Sequence, residues 1–136
     1  MHGRDQLYSL WKDKFTREQN AKLPAEEFVL IEEGSNFGWP YCYYDHFQEK
    51  KVLAPEYGGD GKKIGRCDQY GDPLIGFPAH WASNDIIFYD KQQFPEKYHQ
   101  AALIAFHGSW NRAPFPQQGY KVVALPFNDC NKWTDW

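Results

Sequence analysis

Apolar residues fall along this chain in short runs broken by Gly, Pro and charged residues. The clearest runs lie in the C-terminal third, at Asp85–Tyr89, Ala102–Phe106 and Tyr120–Phe127. Their length and their β-branched and aromatic content favour strands over helices. Turn residues separate them, so the pattern predicts an antiparallel meander of three strands, roughly 85–90, 101–107 and 119–126. Further upstream, Glu27–Glu32 places Phe28, Val29, Leu30 and Ile31 between acids, which predicts a buried strand closed by a turn at Glu33-Gly34-Ser35-Asn36. Residues 1–25 are polar and irregular. Thr16 ahead of Arg17, Glu18 and Gln19 is a helix-capping arrangement and predicts a short helix reaching Lys22, ended by Pro24. Phe94-Pro95-Glu96-Lys97-Tyr98 reads as a turn or a helical turn.

Residues 37–44 form an aromatic cluster punctuated by Gly38 and Pro40. Periodicity is weak from 45 to 80, and Gly58-Gly59-Asp60-Gly61 and Gly71-Asp72-Pro73 mark turns. The stretch 41–80 therefore reads as a long irregular excursion, which in a compact domain is either functional or pinned. A Cys42–Cys67 disulfide would pin it and would leave Cys130 as a free thiol. No Cys-x-x-Cys pair points to a redox motif or a zinc ribbon.

With 136 residues, the chain suffices for a single domain with a modest core. Its formal net charge of −3 and its lack of a Lys/Arg cluster argue against nucleic-acid binding. No apolar run is long enough to span a membrane. The start, Met1-His2-Gly3-Arg4-Asp5, is polar and shows no signal peptide, so Met1 reads as an imposed start or the start of an incomplete chain. Aromatics are 18% of the residues, with six Trp, nine Tyr and ten Phe. That content fits a β-rich protein with ring-lined surfaces for sugars or another flat ligand.

Candidate chemistry concentrates at His107-Gly108-Ser109-Trp110-Asn111-Arg112, where one expected strand has ended and the next has not begun. Loops at strand ends present binding groups on a rigid sheet. Arg112 can fork onto a carboxylate and Trp110 can stack on a flat ring or a sugar. The plainer reading is a hairpin loop with a buried Trp and a surface Arg. A hydrolase triad from Ser109 and His107 lacks a Gly-x-Ser-x-Gly elbow. Gly58–Lys63 resembles a phosphate loop, but with no strand before it and no helix after it, a surface turn is preferred. Cys42, His46, Cys67 and His80 have no zinc-finger spacing. Asp5, Glu26, Glu27, Glu32 and Asp45 offer hard oxygens for calcium without an Asp-x-Asp-x-Asp loop.

Three ordered stretches carry a family resemblance. Glu26–Ile31 with Gly34-Ser35-Asn36-Phe37-Gly38-Trp39-Pro40, then Ala79–Tyr89, then His107–Arg112 with Gly119-Tyr120-Lys121-Val122, resemble segments of the soluble pyrroloquinoline quinone (PQQ) sugar dehydrogenases. The last stretch, and Cys42 just after Trp39-Pro40-Tyr41, are similar to the sorbosone-dehydrogenase-like branch. Ser83, Asn84 and Asp85 depart from the family pattern, which bears on a turn more than on chemistry.

The resemblance implies an all-β fold: a partial six-bladed β-propeller of antiparallel blades, with the long insertion and short helical turns. PQQ and calcium lie over the propeller channel in that family, and the enzymes oxidise a sugar C1 hydroxyl or hydrated aldehyde by passing hydride to PQQ. The implied calcium ligands are the carbonyls of Gly38 and Pro40. The implied PQQ-binding residues are Arg112 and His107, with Trp110 beside them. The family's catalytic His lies upstream of the segment seen here, and its Arg-bearing closing segment lies downstream. A sugar substrate, a cytochrome c acceptor and a periplasmic or secreted setting are implied in the same way. At roughly 40–50 residues per blade, the chain covers about two blades and cannot close a ring. The alternative is a propeller-derived carbohydrate-binding or structural module without redox activity. A small zinc domain is a third reading.

Overall fold

The computed structural model describes residues 12–109 and 111–127. Short strands dominate these residues, with one brief helix, so the all-β class holds. Helix α1 (Arg17–Lys22) begins as its sequence predicts. The Thr16 hydroxyl accepts from the Gln19 amide, and the Gln19 side chain accepts from the Thr16 amide, satisfying two donors that a helix start leaves open. Lys22 and Glu18 pair at 2.7 Å one turn apart. Leu23 is already extended, and Pro24 follows with no amide to continue the ladder.

Strand β1 (Glu26–Phe28) pairs antiparallel with β4 (Ile75–Phe77), placing Glu26 opposite Phe77. The expected strand through Glu32 is therefore cut short. The Leu74 amide still donates to the Phe28 carbonyl, but Pro73 comes next and has no N–H to extend the pairing. Leu30 and Ile31 are left 58% and 77% exposed rather than buried.

The stretch read as an irregular excursion contains a hairpin instead. Strands β2 (Cys42–Asp45) and β3 (Lys50–Leu53) pair with Tyr43 opposite Val52. The Asp45 carboxylate fixes the turn between them by accepting from the amides of Phe47 and Gln48 and from the Gln48 side chain. Two 3-10 turns, Pro55–Tyr57 and Gly65–Gln69, follow before β4. The hairpin lacks an alternating pattern because its buried side includes charged groups. Lys51 is almost wholly buried and reaches Glu27 at 2.6 Å. The expected Cys42–Cys67 disulfide is present, with Cα atoms 5.9 Å apart, and ties β2 to the second 3-10 turn. Cys130 lies outside the described residues.

The expected meander forms as β5 (Ser83–Phe88), β6 (Ala102–Phe106) and β7 (Lys121–Leu125), antiparallel in that order. The pairing shifts between Ser83 and Asp85, where the family resemblance also departed. Phe94–Tyr98 holds the expected helical turn at Glu96–Tyr98. One face of the sheet carries Ala102, Ile104, Phe106, Val123 and Leu125 into the largest core cluster, against Phe77 and Trp81. Phe106 sits at the centre, edge-on to Phe77 at 4.9 Å and to Trp81 at 5.4 Å. This core fixes the two chain segments that bound the cleft described next.

Candidate functional site

The end of β6 and the turn before β5 meet across a cleft of about 390 Å³. Glu26, His80, His107, Ser109 and Asn111 line it, with Pro24 at one wall. Backbone hydrogen bonds set the spacing. The amides of His107 and Gly108 donate to the carbonyls of Ala82 and Trp81, and the Ser109 amide donates to Gln118. Gly108 has φ +94°, and a Cβ there would lie 2.3 Å from the Tyr120 ring, so only glycine fits.

The facing turn is strained. His80 and Ala82 both have left-handed backbones, at φ 68° and 54°. Such residues cost on the order of 1–3 kcal/mol each and persist only where the surroundings impose them. Glu26 is one such imposition: its carboxylate accepts from the Ala82 amide at 2.7 Å and the Ser83 amide at 3.2 Å. The two amide bonds from His107 and Gly108 are another. The His80 ring nitrogen Nε2 lies 3.3 Å from the Asn20 carbonyl, which can only accept, so Nε2 carries the proton in that contact.

His107 is exposed at the rim of this cleft. Its Nδ1 is 3.1 Å from the Gly108 carbonyl. By the same argument Nδ1 carries the proton, and a neutral His107 presents Nε2 as an acceptor. Ser109 is 1% exposed, and its hydroxyl accepts from the Asn111 amide at 3.2 Å, which makes it a turn residue rather than a nucleophile.

Arg112 is placed differently from both readings of the sequence. It is 3% exposed, so it is not a surface arginine. Its Nε donates to the Pro116 carbonyl at 3.1 Å and its Nη1 to the Ala21 carbonyl at 2.8 Å. Burial pushes the guanidinium pKa down from its ordinary value. Arg112 thus ties the loop after β6 to the end of α1, and it does not line the cleft. Trp110 lies outside the described residues.

At the other candidate position, Gly38 is buried with φ +85°, and Pro40 is half-buried. The Gly38 carbonyl accepts from the amides of Tyr41 at 2.8 Å and Cys42 at 2.9 Å. Trp39 between them is 70% exposed. Zinc ligation by Cys42 and Cys67 is excluded by their disulfide. The Asp60 carboxylate accepts from the Lys62 and Lys63 amides, so Gly58–Lys63 is the turn expected of it.

A family model described as TrAA12-like matches residues 13–134, nearly the whole chain. The chain belongs to the TrAA12-like family. Within reach of this TrAA12-like chain is an uncharacterized protein of Borreliella burgdorferi, 32% identical over 104 residues, covering 76% of the chain and 25% of that protein. A pyrroloquinoline quinone-dependent pyranose dehydrogenase of Coprinopsis cinerea is 28% identical over 134 residues, covering 87% of the chain and 17% of the relative. The chain therefore spans a quarter or less of the length of these curated relatives. No solved structure matches it significantly. The TrAA12-like match does not single out the sorbosone-dehydrogenase-like branch.

The fit of the implied groups differs. The Gly38 carbonyl already accepts two hydrogen bonds, and among the described residues no group of three or more His, Cys, Asp or Glu could hold a metal ion. These residues do not by themselves fit calcium. The cleft at His107 is of a size that takes small ligands, and its imidazoles, amide and backbone groups can meet carboxylates or hydroxyls. His107 and Asn111 of this lining belong to the stretch singled out in the sequence, whereas His80 and Glu26 do not. His80 and Glu26 stood in other candidate sets, and nothing in their spacing shows that one cleft joins them.

Proposed function

We propose that the chain is part of a PQQ-dependent sugar dehydrogenase, of the sorbosone-dehydrogenase-like kind, and that the His107 cleft faces its cofactor and sugar. The observation that carries this reading is the similarity to the pyranose dehydrogenase across 87% of the chain. In this reading the chain contributes a partial propeller rather than a closed one. The setting is periplasmic or secreted, in keeping with a disulfide at Cys42–Cys67. The electron acceptor is a cytochrome c. The catalytic base and the remaining cofactor contacts come from chain segments beyond this one.

PQQ, when bound, supplies the acceptor for the two electrons and the hydrogen that leave the sugar C1 carbon. His107 is the group that touches the ligand, with Nε2 accepting a hydroxyl proton or, when the ring is charged, donating to a carboxylate. Asn111 adds an amide donor and acceptor on the same wall. Trp110 is assigned to the cofactor by residue type alone, as an indole suited to a flat ring. Arg112 acts one step back, holding the loop that carries all three through its bonds to Ala21 and Pro116. Glu26 holds the opposite wall through Ala82 and Ser83. No step is assigned to calcium, because Gly38 and Pro40 do not fit it unaided.

The test is reconstitution of the apo-protein with PQQ, in the longest chain that carries this segment, followed by dye reduction with aldoses and sorbosone. His107→Ala is expected to lower PQQ-dependent turnover by at least about tenfold, the effect of losing one hydrogen bond of about 1.5–3 kcal/mol to a charged ligand. Turnover unchanged in His107→Ala would remove the cleft from the reaction. Wild-type protein that binds sugars but never reduces the dye would favour the second reading, a propeller-derived carbohydrate-binding or structural module.

A further inference from the structure

A second cluster of rings lies apart from the cleft and shares no lining residue with it. Trp39 is 70% exposed and Tyr57 is 44% exposed. Tyr41 meets Tyr57 edge-on, with ring centroids 4.7 Å apart. The Arg66 guanidinium lies 4.4 Å over the Tyr41 ring and 5.9 Å from the Tyr70 ring. Tyr70 in turn fills the space beside Gly38, where a Cβ would come within 2.6 Å of it, immediately before Trp39. Tyr57, Tyr41, Arg66 and Tyr70 are thus linked side chain to side chain, with Tyr41 and Tyr70 half-buried against Cys42, Leu53 and Cys67. Trp39 adjoins them through the Gly38 backbone, so that Trp39 and Tyr57 offer the exposed rings.

Their spacing is fixed by covalent and hydrogen-bonded ties. The Cys42–Cys67 disulfide joins the residue after Tyr41 to the residue after Arg66. The amides of Tyr41 and Cys42 both donate to the Gly38 carbonyl, closing the turn that presents Trp39. Large rings held this way lose little freedom when a ligand settles on them.

We propose that Trp39, Tyr41, Tyr57, Arg66 and Tyr70 form a binding surface for neutral pyranose oligosaccharides. Aromatic faces accept the apolar C–H faces of pyranose rings, while phenol and guanidinium groups at the rim meet their hydroxyls. Charge argues for a neutral ligand. Residues 56–68 hold three basic side chains (Lys62, Lys63, Arg66) and three acidic ones (Glu56, Asp60, Asp68), and the chain as a whole carries −3. A stacking surface for single-stranded nucleic acid needs a cationic groove, which this balance does not supply. The choice of a saccharide over another neutral ring-bearing ligand rests on the sugar-oxidising reading above.

The test is calorimetric titration of the protein with cellohexaose and with maltohexaose. Wild type is expected to bind at least one of them. Trp39→Ala and Arg66→Ala should each weaken that binding by about tenfold, and Arg66→Lys should weaken it nearly as much, because an ammonium does not reproduce guanidinium stacking. Trp39 is exposed, so Trp39→Ala should keep the wild-type urea midpoint, which separates lost binding from lost folding. Dye reduction by wild type is measured in parallel. Hexaose binding that Trp39→Ala abolishes supports this surface whether or not the dye is reduced, so failure of the dehydrogenase reading is seen separately. No binding of either hexaose by wild type, or binding that both Trp39→Ala and Arg66→Ala leave unchanged, overturns the proposal.

Discussion

Arg112 shows how burial redefines a residue. As a sequence position it is a fork for carboxylates; in the fold it is 3% exposed and donates to two backbone carbonyls. Arg112→Ala strips a charged donor from both carbonyls, each such bond being worth roughly 1.5–3 kcal/mol. A loss of about 3 kcal/mol in urea-unfolding stability is expected, with Arg112→Lys falling between. Other residues set the pH response, His46 on the acid side and Tyr43 with Tyr44, whose pKa burial also raises, on the alkaline side. Burial lowers the His46 pKa, with Lys22 adding to the effect and Asp45 opposing it. The unfolded chain therefore takes up a proton that the folded chain resists, and stability falls as pH drops below about 6.5. Burial raises the Tyr43 pKa, reinforced by the charges of Asp45, Asp60 and Glu56. The folded state then keeps a proton that the unfolded chain releases, so stability also falls above about pH 10. Urea midpoints across pH 5 to 11 are expected to trace a plateau with both shoulders, and His46→Gln should flatten the acid one.

At the scale of elements, the disulfide and the hairpin explain each other. Cys42 opens β2 and Cys67 sits in the second 3-10 turn, 25 positions on. Closing a loop of that length restricts the unfolded chain by about 3.5 kcal/mol in the chain-entropy account. The Cys42→Ser/Cys67→Ser double variant should lose on the order of that stability, read from urea unfolding of oxidised protein. Thiol titration of denatured, unreduced wild type checks the bridge itself, and a count of three thiols would refute it. The element boundaries also have local causes. α1 follows its capping sequence, because Thr16 and Gln19 are within three residues of each other. β1 does not follow its apolar run, because its partner strand reaches Pro73. The length of a strand is thus decided by another strand.

For the whole molecule, the open side of the β5–β6–β7 sheet is the feature with consequences in solution. Ile87 is 54% exposed and Val122 is 67% exposed on the face opposite the core. Val122, with Leu103, Phe94 and Tyr98, borders a largely apolar hollow of about 620 Å³. Contiguous apolar surface of this kind drives association. The isolated chain is expected to associate with rising concentration, and Val122→Lys should weaken that association by about tenfold in sedimentation velocity.

What the sequence determined by itself was local. The capping of α1, the three C-terminal strands, the turn at Asp60 and the need for a tie at Cys42–Cys67 were legible because each depends on neighbours in the chain or on plain alternation. The β2–β3 hairpin was hidden, since Lys51 and Asp45 are buried through partners that no period reveals. His107 was legible as a residue at a strand end. Its cleft was not, because Glu26 and His80 come from separate elements and are brought to the loop of His107 and Asn111 only by hydrogen bonds and packing around Trp81. Arg112 marks the division most clearly: its chemistry is written in the chain, but whether its guanidinium faces a ligand or the Ala21 carbonyl depends on a contact 91 residues away. Only the folded chain makes that contact.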